Sequence, residues 1–377
     1  MALFKNNEPI MGFDLSDISI KIMHFENKGG NYEVLGFADH VLPKGIMVND
    51  IIKEEALLRK HIAALLKKPD YGKINARKIV ASIPESKAFV RVIQIPKMSE
   101  EQAALAVPAE AEQYIPLPLD QTKLDWQIIS ASARASAPSS ASASESAPES
   151  TSASASAPGE KMDVLVTASP KNYIDNFLEI LKSAGLRPVA FEVESAAVLR
   201  ALLSPQNRSK DFMILDMDTY RTSLIIASNG NLEYTSSVPI AGDAFTQSIA
   251  RVLGISAEEA EKVKRETGLE DSSENSQAKA ALAPVVDNLI SEIRNTIRFH
   301  EEHAANKIEE IILAGGSAKL KNLAPYLREQ FAADRPEMDV RLGNPWVNVL
   351  QPEKTPSIMD SLSYTTAIGL AIRAADM

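Results

Sequence analysis

Residues 12–21 read GFDLSDISIK, and this stretch decides the fold. Phe13, Leu15, Ile18, Ile20 and Ile22 alternate with Gly12, Asp14, Ser19 and Lys21 around Ser16-Asp17, the pattern of a β-hairpin with one buried face. Alternation sends Asp14 and Lys21 to the face opposite Phe13, Ile18 and Ile20. A carboxylate that can hold Mg²⁺ through water, a neighbouring cation and a turn rich in backbone N–H groups are the parts of a phosphate-gripping hairpin. A solvated strand face carrying an ion pair has the same pattern.

The theme returns two hundred residues on. Residues 212–228 read FMILDMDTYRTSLIIAS: Asp216 ends an apolar strand, a polar turn through Asp218 and Thr222 follows, and a second apolar strand returns. Asn229-Gly230 then marks another hairpin turn. Residues 311–320, IILAGGSAKL, place Gly315 and Gly316 between a buried strand and a helix, where backbone can approach a ligand closely. Glu261 and Lys264 share a helix face at i, i+3, a spacing that also serves ordinary surface pairs.

Between these hairpins the chain alternates strands and helices. Residues 54–68 have helical apolar spacing, 78–83 form a buried strand, and 89–95 form a further strand. A helix over 99–114 opens on a Ser99/Gln102 capping box, and Pro108 should kink or break it. Strand-like pieces at 124–129 and 162–167 flank residues 130–159, almost entirely Ser, Ala and Pro. Such a segment has nothing to pack against its ordering entropy and reads as a disordered hairpin loop. A helix over 170–184, a strand over 188–193 and a helix over 195–203 lead to the second hairpin; residues 256–307 are nearly all helical, and a last helix spans 364–374.

Two hairpin-first halves, each followed by strand and helix, predict a duplicated α/β architecture with a cleft between lobes. The first lobe takes residues 1–83, 186–205 and 356–377. An inserted strand–helix–strand–strand module takes 84–185, and the second lobe takes 206–355 with a helical subdomain at about 256–305.

Bulk chemistry narrows the function. The 377 residues carry a formal net charge of -10, so no overall basic face exists for nucleic acid or an anionic bilayer. There is no cysteine, which removes thiol nucleophiles, thiolate metal sites and disulfides together. No apolar run approaches the ~20 residues of a membrane helix, and the N-terminal residues show no secretory h-region, so a cytoplasmic location is expected. His300 and His303 stand at i, i+3 rather than the i, i+4 of zinc proteases, and no P-loop, nucleophile-elbow or dinucleotide fingerprint occurs.

Five segments together resemble the signatures of the actin family: 12–21, then VESAAVLRAL at 193–202, LDMDTYRTSL at 215–224, ILAGGSAKL at 312–320 and YTTAIGLA at 364–371. The stretches IPESKAFVRVIQIPKMSEE (83–101), EAEQYIPLPLD (110–120), VPIAGDAFTQSIA (238–250), EEAEKVKRETG (258–268) and GNPWVNV (343–349) narrow the resemblance to the PilM family of type IV pilus assembly proteins, relatives of the division protein FtsA. The resemblance implies an actin-like, ribonuclease-H-like two-lobed fold that binds ATP with Mg²⁺. By position, Asp14 would hold Mg²⁺ through water, Lys21 would reach the phosphates, and Glu194 would be the acidic residue near the metal. Asp14 and Glu194 are the candidate catalytic groups. Asp216 and Thr222 would belong to the second phosphate hairpin, Gly242 would sit beside the phosphates, Glu261 and Lys264 near the ribose, and Gly315 and Gly316 under the adenosine.

Three positions depart from the pattern. Ser16 and Asp218 stand where the hairpins of the family carry glycine, and Ala241 replaces the first glycine of a Gly-Gly-Asp motif. A carboxylate facing a polyanion repels it, so weakened nucleotide binding is expected, and hydrolysis is left open. The resemblance further implies an adaptor that binds the N-terminal segment of a PilN-like membrane protein, in a groove between the module and the first lobe. It would sit at the inner face of the cytoplasmic membrane within the pilus inner-membrane complex. A working ATPase driving assembly and an FtsA-like filament protein are the alternatives, although residues 364–377 offer no amphipathic membrane helix after the last signature. Self-association is left open.

Overall fold

The computed structural model describes residues 8–129, 160–270, 276–302, 306–351 and 356–377. The Ser/Ala segment 130–159 therefore lies outside the described residues, as does His303.

Two sheets repeat one topology. In the first, the hairpin strands Ile10–Leu15 and Ser19–Lys28 run antiparallel, and Asn31–Val41 continues the meander. Strands Lys78–Ile83 and Arg187–Val193 then add in parallel on the other side of Ile10–Leu15. In the second, Asp211–Met217, Thr222–Ser228 and Asn231–Val238 form the meander, with Glu310–Ala314 and Asp339–Leu342 added in parallel beside Asp211–Met217. Both sheets thus have the strand order 3-2-1-4-5 within their own halves. That repeat is the duplicated α/β fold expected from the two hairpins.

The apolar period of each strand decides what covers it. Phe13, Leu15, Ile20 and Ile22 point to one face of the first sheet and pack against Leu58 and Ile62 of helix Glu55–Lys67 and against Phe177 and Leu181 of helix Lys171–Ser183. Ile18, expected on that face, is 38% exposed instead, because strand alternation stops at Leu15 and resumes only at Ser19. On the other face, Met23 and Phe25 meet Ile368 and Ile372 of the last helix, Thr365–Asp376. In the second sheet, Met213, Leu215, Leu224 and Ile226 pack against Phe245 and against Leu289 and Ile293 of helix Ser276–Glu301. Its opposite face, with Phe212, Ile214 and Ile225, packs on Val198, Leu199 and Leu202 of helix Glu194–Leu202.

Helices Glu194–Leu202 and Thr365–Asp376 therefore lie between the two sheets, and glycines let them come close. A Cβ on Gly369 would overlap the carbonyl of Ala197, and one on Gly12 would lie 2.5 Å from the backbone nitrogen of Ala371. Gly12, at the start of the deciding stretch, thus seats the last helix directly on the first strand.

The inserted module is a three-stranded antiparallel sheet in which Lys161–Pro170 runs between Phe89–Pro96 and Thr122–Ile129. Helix Glu100–Ala111 opens on the Ser99/Gln102 capping box and covers one face through Ala103, Val107 and Ala111. It ends within a turn of Pro108, short of the expected residue 114. Two pieces cross the expected domain limits. Helix Lys171–Ser183 joins the first-lobe core, and strand Val349–Leu350 pairs with Tyr32 and Glu33 at the edge of the first sheet. Trp346 draws that strand there by packing among Phe25 and Phe37.

Candidate functional site

The hairpin tips of both lobes and the start of helix Glu194–Leu202 meet in one cleft, lined by Asp14, Lys21, Glu194, Asp216, Asp218 and Gly315, with Ser16, Ser363 and Thr365 completing its walls. Asp14 and Lys21 are direct cross-strand partners. Asp14 accepts a 2.9 Å hydrogen bond from Ser82 Oγ, while Lys21 Nζ donates to Ser19 Oγ at 2.5 Å. Asp216 stands opposite Ser223 in the second hairpin and is 5% exposed. Asp218 spends its backbone on the turn: its N–H donates to Arg221 O at 3.0 Å, and its carbonyl accepts from Gly242 N–H at 3.2 Å and Ser317 Oγ at 2.5 Å. Its carboxyl is left for the cleft.

Gly315 has φ +82, and a Cβ there would strike the Met217 backbone at 2.5 Å, so glycine is required where the central strand turns under the cleft. Gly316 meets no such obstacle; the nearest atom to its would-be Cβ is Ser363 Cβ at 3.9 Å. Neither Ser16 nor Asp218 has positive φ. Their departure from glycine therefore strains nothing and acts only by adding a side chain to the cleft.

The remaining sequence candidates stand behind that wall. Thr222 is fully buried, and its Oγ1 donates to Ile240 O at 2.6 Å, fixing the chain just before Ala241 and Gly242. Lys264 Nζ donates to Gly242 O at 2.9 Å and pairs with Glu261 at 2.6 Å, and Thr246 Oγ1 donates to Glu261 at 2.6 Å. Burial opposes the charge on Glu261, but the bonds from Lys264, Thr246 and Arg265 hold its carboxyl down at about 2. Glu261 and Lys264 thus brace the Gly242 turn from behind. His300 is buried with Nε2 3.2 Å from Asp211 Oδ2, a tie between helix Ser276–Glu301 and the second sheet.

Electrostatics set the character of the cleft. Burial pushes Asp14 above the usual carboxylate range, although Lys21 and Ser82 pull the other way. Burial, with the charges of Asp218 and Asp14, pushes Glu194 and Asp216 well above theirs. Asp218 is exposed to solvent, yet the protein around its carboxyl, with the charge of Asp14 adding to it, pushes it up to about 6. Four carboxylates face one ammonium, and like charges this close favour neutral forms unless a cation arrives.

Sequence reading missed three contributors. Ser82 is the one polar side chain in the interior of strand KIVASI; Glu85 donates its N–H to Glu194 at 3.4 Å; and Lys319 Nζ holds the cleft residue Ser363, reaching its Oγ at 3.3 Å and Asp360 O at 3.1 Å. A serine in an otherwise apolar strand was the available signal for Ser82. The other two depend on contacts between distant segments.

This donor set fits a Mg²⁺-bearing ligand better than a bare phosphate. The oxygens suit a hard cation. The N–H groups of Ser16, Asp218, Gly242 and Asp243, which could cradle an anion, are bonded to Ser19, Arg221, Asp218 and Thr219 carbonyls.

Duplicated 3-2-1-4-5 sheets closing on a two-hairpin cleft define an actin-like ATPase fold, and solved structures agree. Over 97% of this chain and 96% of the other, the structure matches MreB 5 of Spiroplasma citri bound to AMPPNP, at 12% identity and TM-score 0.52. It matches a chain of a PilM-PilN type IV pilus biogenesis complex over 97% of this chain and 98% of that one, at 25% identity and TM-score 0.77. Residues 12–143 and 149–375 match the family model of type IV pilus assembly protein PilM, and the chain belongs to that family. Among curated relatives, cell division protein FtsA of Bacillus subtilis is 24% identical over 231 residues, 55% of this chain and 48% of that protein. FtsA of Pseudomonas aeruginosa is 22% identical over 227 residues, 55% of this chain and 52% of that protein. The chain thus spans about half the length of the curated relatives it matches.

Proposed function

We propose that this protein is an actin-like adaptor of the type IV pilus machine, holding the N-terminal cytoplasmic segment of a PilN-like membrane protein. The observation that carries this reading is the match, over nearly the whole of both chains, to a PilM-PilN complex. A groove of about 440 Å³ supports it. Leu117, Asp120 and Gln121 of the module form one side, and Lys171, Asn172 and Asp175 of the helix anchored in the first-lobe core form the other. An apolar contact beside mixed polar groups of both charges suits a short peptide segment.

No helix among the described residues is long and apolar enough to cross a membrane, so attachment at the inner face of the cytoplasmic membrane would come from the partner. ATP with Mg²⁺ would enter the cleft, where the metal would neutralise charge on the phosphates. Asp14, Glu194 and Asp216 would orient the hydrated metal, Lys21 would approach the phosphates, and Gly315 would turn the backbone under the nucleoside. Asp218 and Ser16 narrow that space and Asp218 adds charge, which favours a conformational role over turnover.

A peptide copying the PilN-like N-terminal segment is expected to bind saturably and to raise the melting temperature, by about 2.7 kcal/mol of stabilisation at a hundredfold excess over Kd. Absence of binding at high micromolar peptide would sink the adaptor. Steady ATP hydrolysis by the unmodified protein would promote the ATPase reading.

A further inference from the structure

We propose that His40 and His61 form a proton-sensitive clasp, which fastens helix Glu55–Lys67 to the edge of the first sheet at neutral pH and lets it loosen in mild acid. The proposal rests neither on the cleft nor on what the groove holds.

His40 Nε2 lies 2.6 Å from His61 Nδ1, a hydrogen bond between strand Asn31–Val41 and helix Glu55–Lys67. Their ring centroids are 4.8 Å apart. Both residues are half-buried, so the pair is packed yet open to protons from solvent. One of the two facing nitrogens must carry the hydrogen while the other accepts it. A first added proton can sit on an outer nitrogen and leave that bond intact. A second must take the accepting nitrogen, which sets two N–H groups and two positive charges face to face.

The surroundings of the pair are apolar or cationic. On the strand, Asp39 points to the opposite face, toward Tyr364, and Asp70 accepts from the Asp39 N–H at 2.7 Å. The neighbouring strand Ser19–Lys28 sets Ile20 opposite His40. One turn to either side of His61 the helix carries Leu57, Leu58, Ala64 and Leu65. Lys60 beside His61, and Lys44 after the strand, are exposed cations. Helix Lys171–Ser183 meets the same helix where Arg59 Nη1 donates to Ser183 Oγ at 3.4 Å, and its Glu179 and Lys182 are exposed.

Burial, with His40 adding to it, holds His61 below the usual histidine value of 6.5. The unfolded chain therefore takes up protons that the folded pair resists, so the clasp is fully made above that value and weakens as pH falls below it. Leu58, Ile62 and Leu65 still anchor the helix in the first-lobe core, so the effect is a local loosening. Phe177, Ile180 and Leu181 of helix Lys171–Ser183 share that core, which carries the loosening toward the helix that walls the groove.

The test follows amide hydrogen exchange by mass spectrometry on the full chain in EDTA, at about pH 7.5 and about pH 5.5, each rate divided by the chemical rate at that pH. Between the two, protection of residues 55–67 should fall about tenfold further than protection of helix Ser276–Glu301. His61→Gln keeps a hydrogen-bonding side chain that cannot take up a proton, and it should lose most of this difference; Lys60→Gln should keep it. Should that glutamine variant fail to fold, His40→Gln takes its place with the same expectation. Nitrogen NMR of the parent's imidazoles should show the pair titrating in two separated steps. A fall in protection that is equal in the parent and the glutamine variant overturns the proposal. So do His40 and His61 signals that titrate together at the usual histidine value.

Discussion

Thr235 Oγ1 donates a 2.6 Å hydrogen bond to Glu85 Oε1, tying the third strand of the second sheet to the turn that enters the inserted module. Glu85 is 9% exposed, burial raises its pKa, and its backbone N–H meets Glu194 at the cleft. One residue therefore touches the second lobe, the cleft and the module entrance.

Removing the donor should be costly. Thr235→Val keeps the volume but leaves a buried carboxyl oxygen unsatisfied, and a loss of about 1–3 kcal/mol in denaturant unfolding is expected. Thr235→Ser, which restores the hydroxyl, should recover most of it. A valine variant as stable as the parent would show that the bond contributes nothing.

The cleft carboxylates give the protein an unusual response to acid. Asp14, Glu85, Glu194, Asp216 and Asp218 all have raised folded-state values, Asp218 at about 6. The folded protein therefore holds protons that the unfolded chain has released, and stability is lost as pH rises through the folded values. In EDTA, the melting temperature should climb as pH falls from about 8 to about 5. Glu261, held at about 2, titrates below this window. Burial lowers His24 and His61, which oppose the trend as pH falls through the usual histidine range, so the difference between Asp218→Asn and the parent is the cleaner reading. Asp218→Asn should flatten the part of the curve near pH 6. A melting temperature that falls steadily over the same range contradicts the crowding.

Nucleotide affinity should be limited by the two cleft side chains that replace glycine. Asp218→Gly removes charge and bulk together, and Ser16→Gly removes bulk alone. At an effective dielectric near 20, two charges ~4 Å apart repel by up to ~4 kcal/mol, well above the ~1.4 kcal/mol of each tenfold in affinity. Asp218→Gly should therefore strengthen ATP binding by about tenfold or more, with the larger gain in EDTA, where no cation screens the carboxylate. Ser16→Gly should give less. Equal effects, or none, in calorimetry would count against charge as the limiting factor.

Gly369 tests the packing between lobes. Its would-be Cβ overlaps the Ala197 carbonyl, which is backbone and cannot swing aside. Gly369→Ala should cost at least the ~1–3 kcal/mol typical of overpacking, read as a lower melting temperature. Gly316→Ala, with open space around it, should cost little.

The hairpin that opens the sequence was legible because a strand alternates. Asp14 and Lys21 were placed on one face by counting, and they are register partners. Counting failed at Ile18, where the chain leaves the strand, and at Pro108, where period alone does not say how many turns a helix survives. The Asp218 carboxyl was readable as an anomaly at a glycine position, but its place beside Asp14 required both lobes. Glu261 and Lys264 were picked out by spacing, yet what they touch, Thr246 for Glu261 and the Gly242 carbonyl for Lys264, is set by the crossing of two helices that no local pattern encodes. Ser82 stood out in an apolar strand, whereas the contact of Glu85 with Glu194 joins segments far apart in the sequence.

The seat that Gly12 provides for the last helix has a consequence for biosynthesis. The strand carrying Gly12 leaves the ribosome long before the helix that covers it, residues 16–364 being made in between. Until then Met23 and Phe25 lack Ile368 and Ile372 on that face of the sheet. The nascent first lobe must stay soluble with that face of its sheet incompletely covered while the intervening chain is made. Contacts of such long sequence separation close slowly, and exposed apolar strands invite aggregation meanwhile. Truncations that clip residues 365–376 should therefore be recovered as aggregates from cells, with the N-terminal hairpin, far from the cut, as the segment that fails.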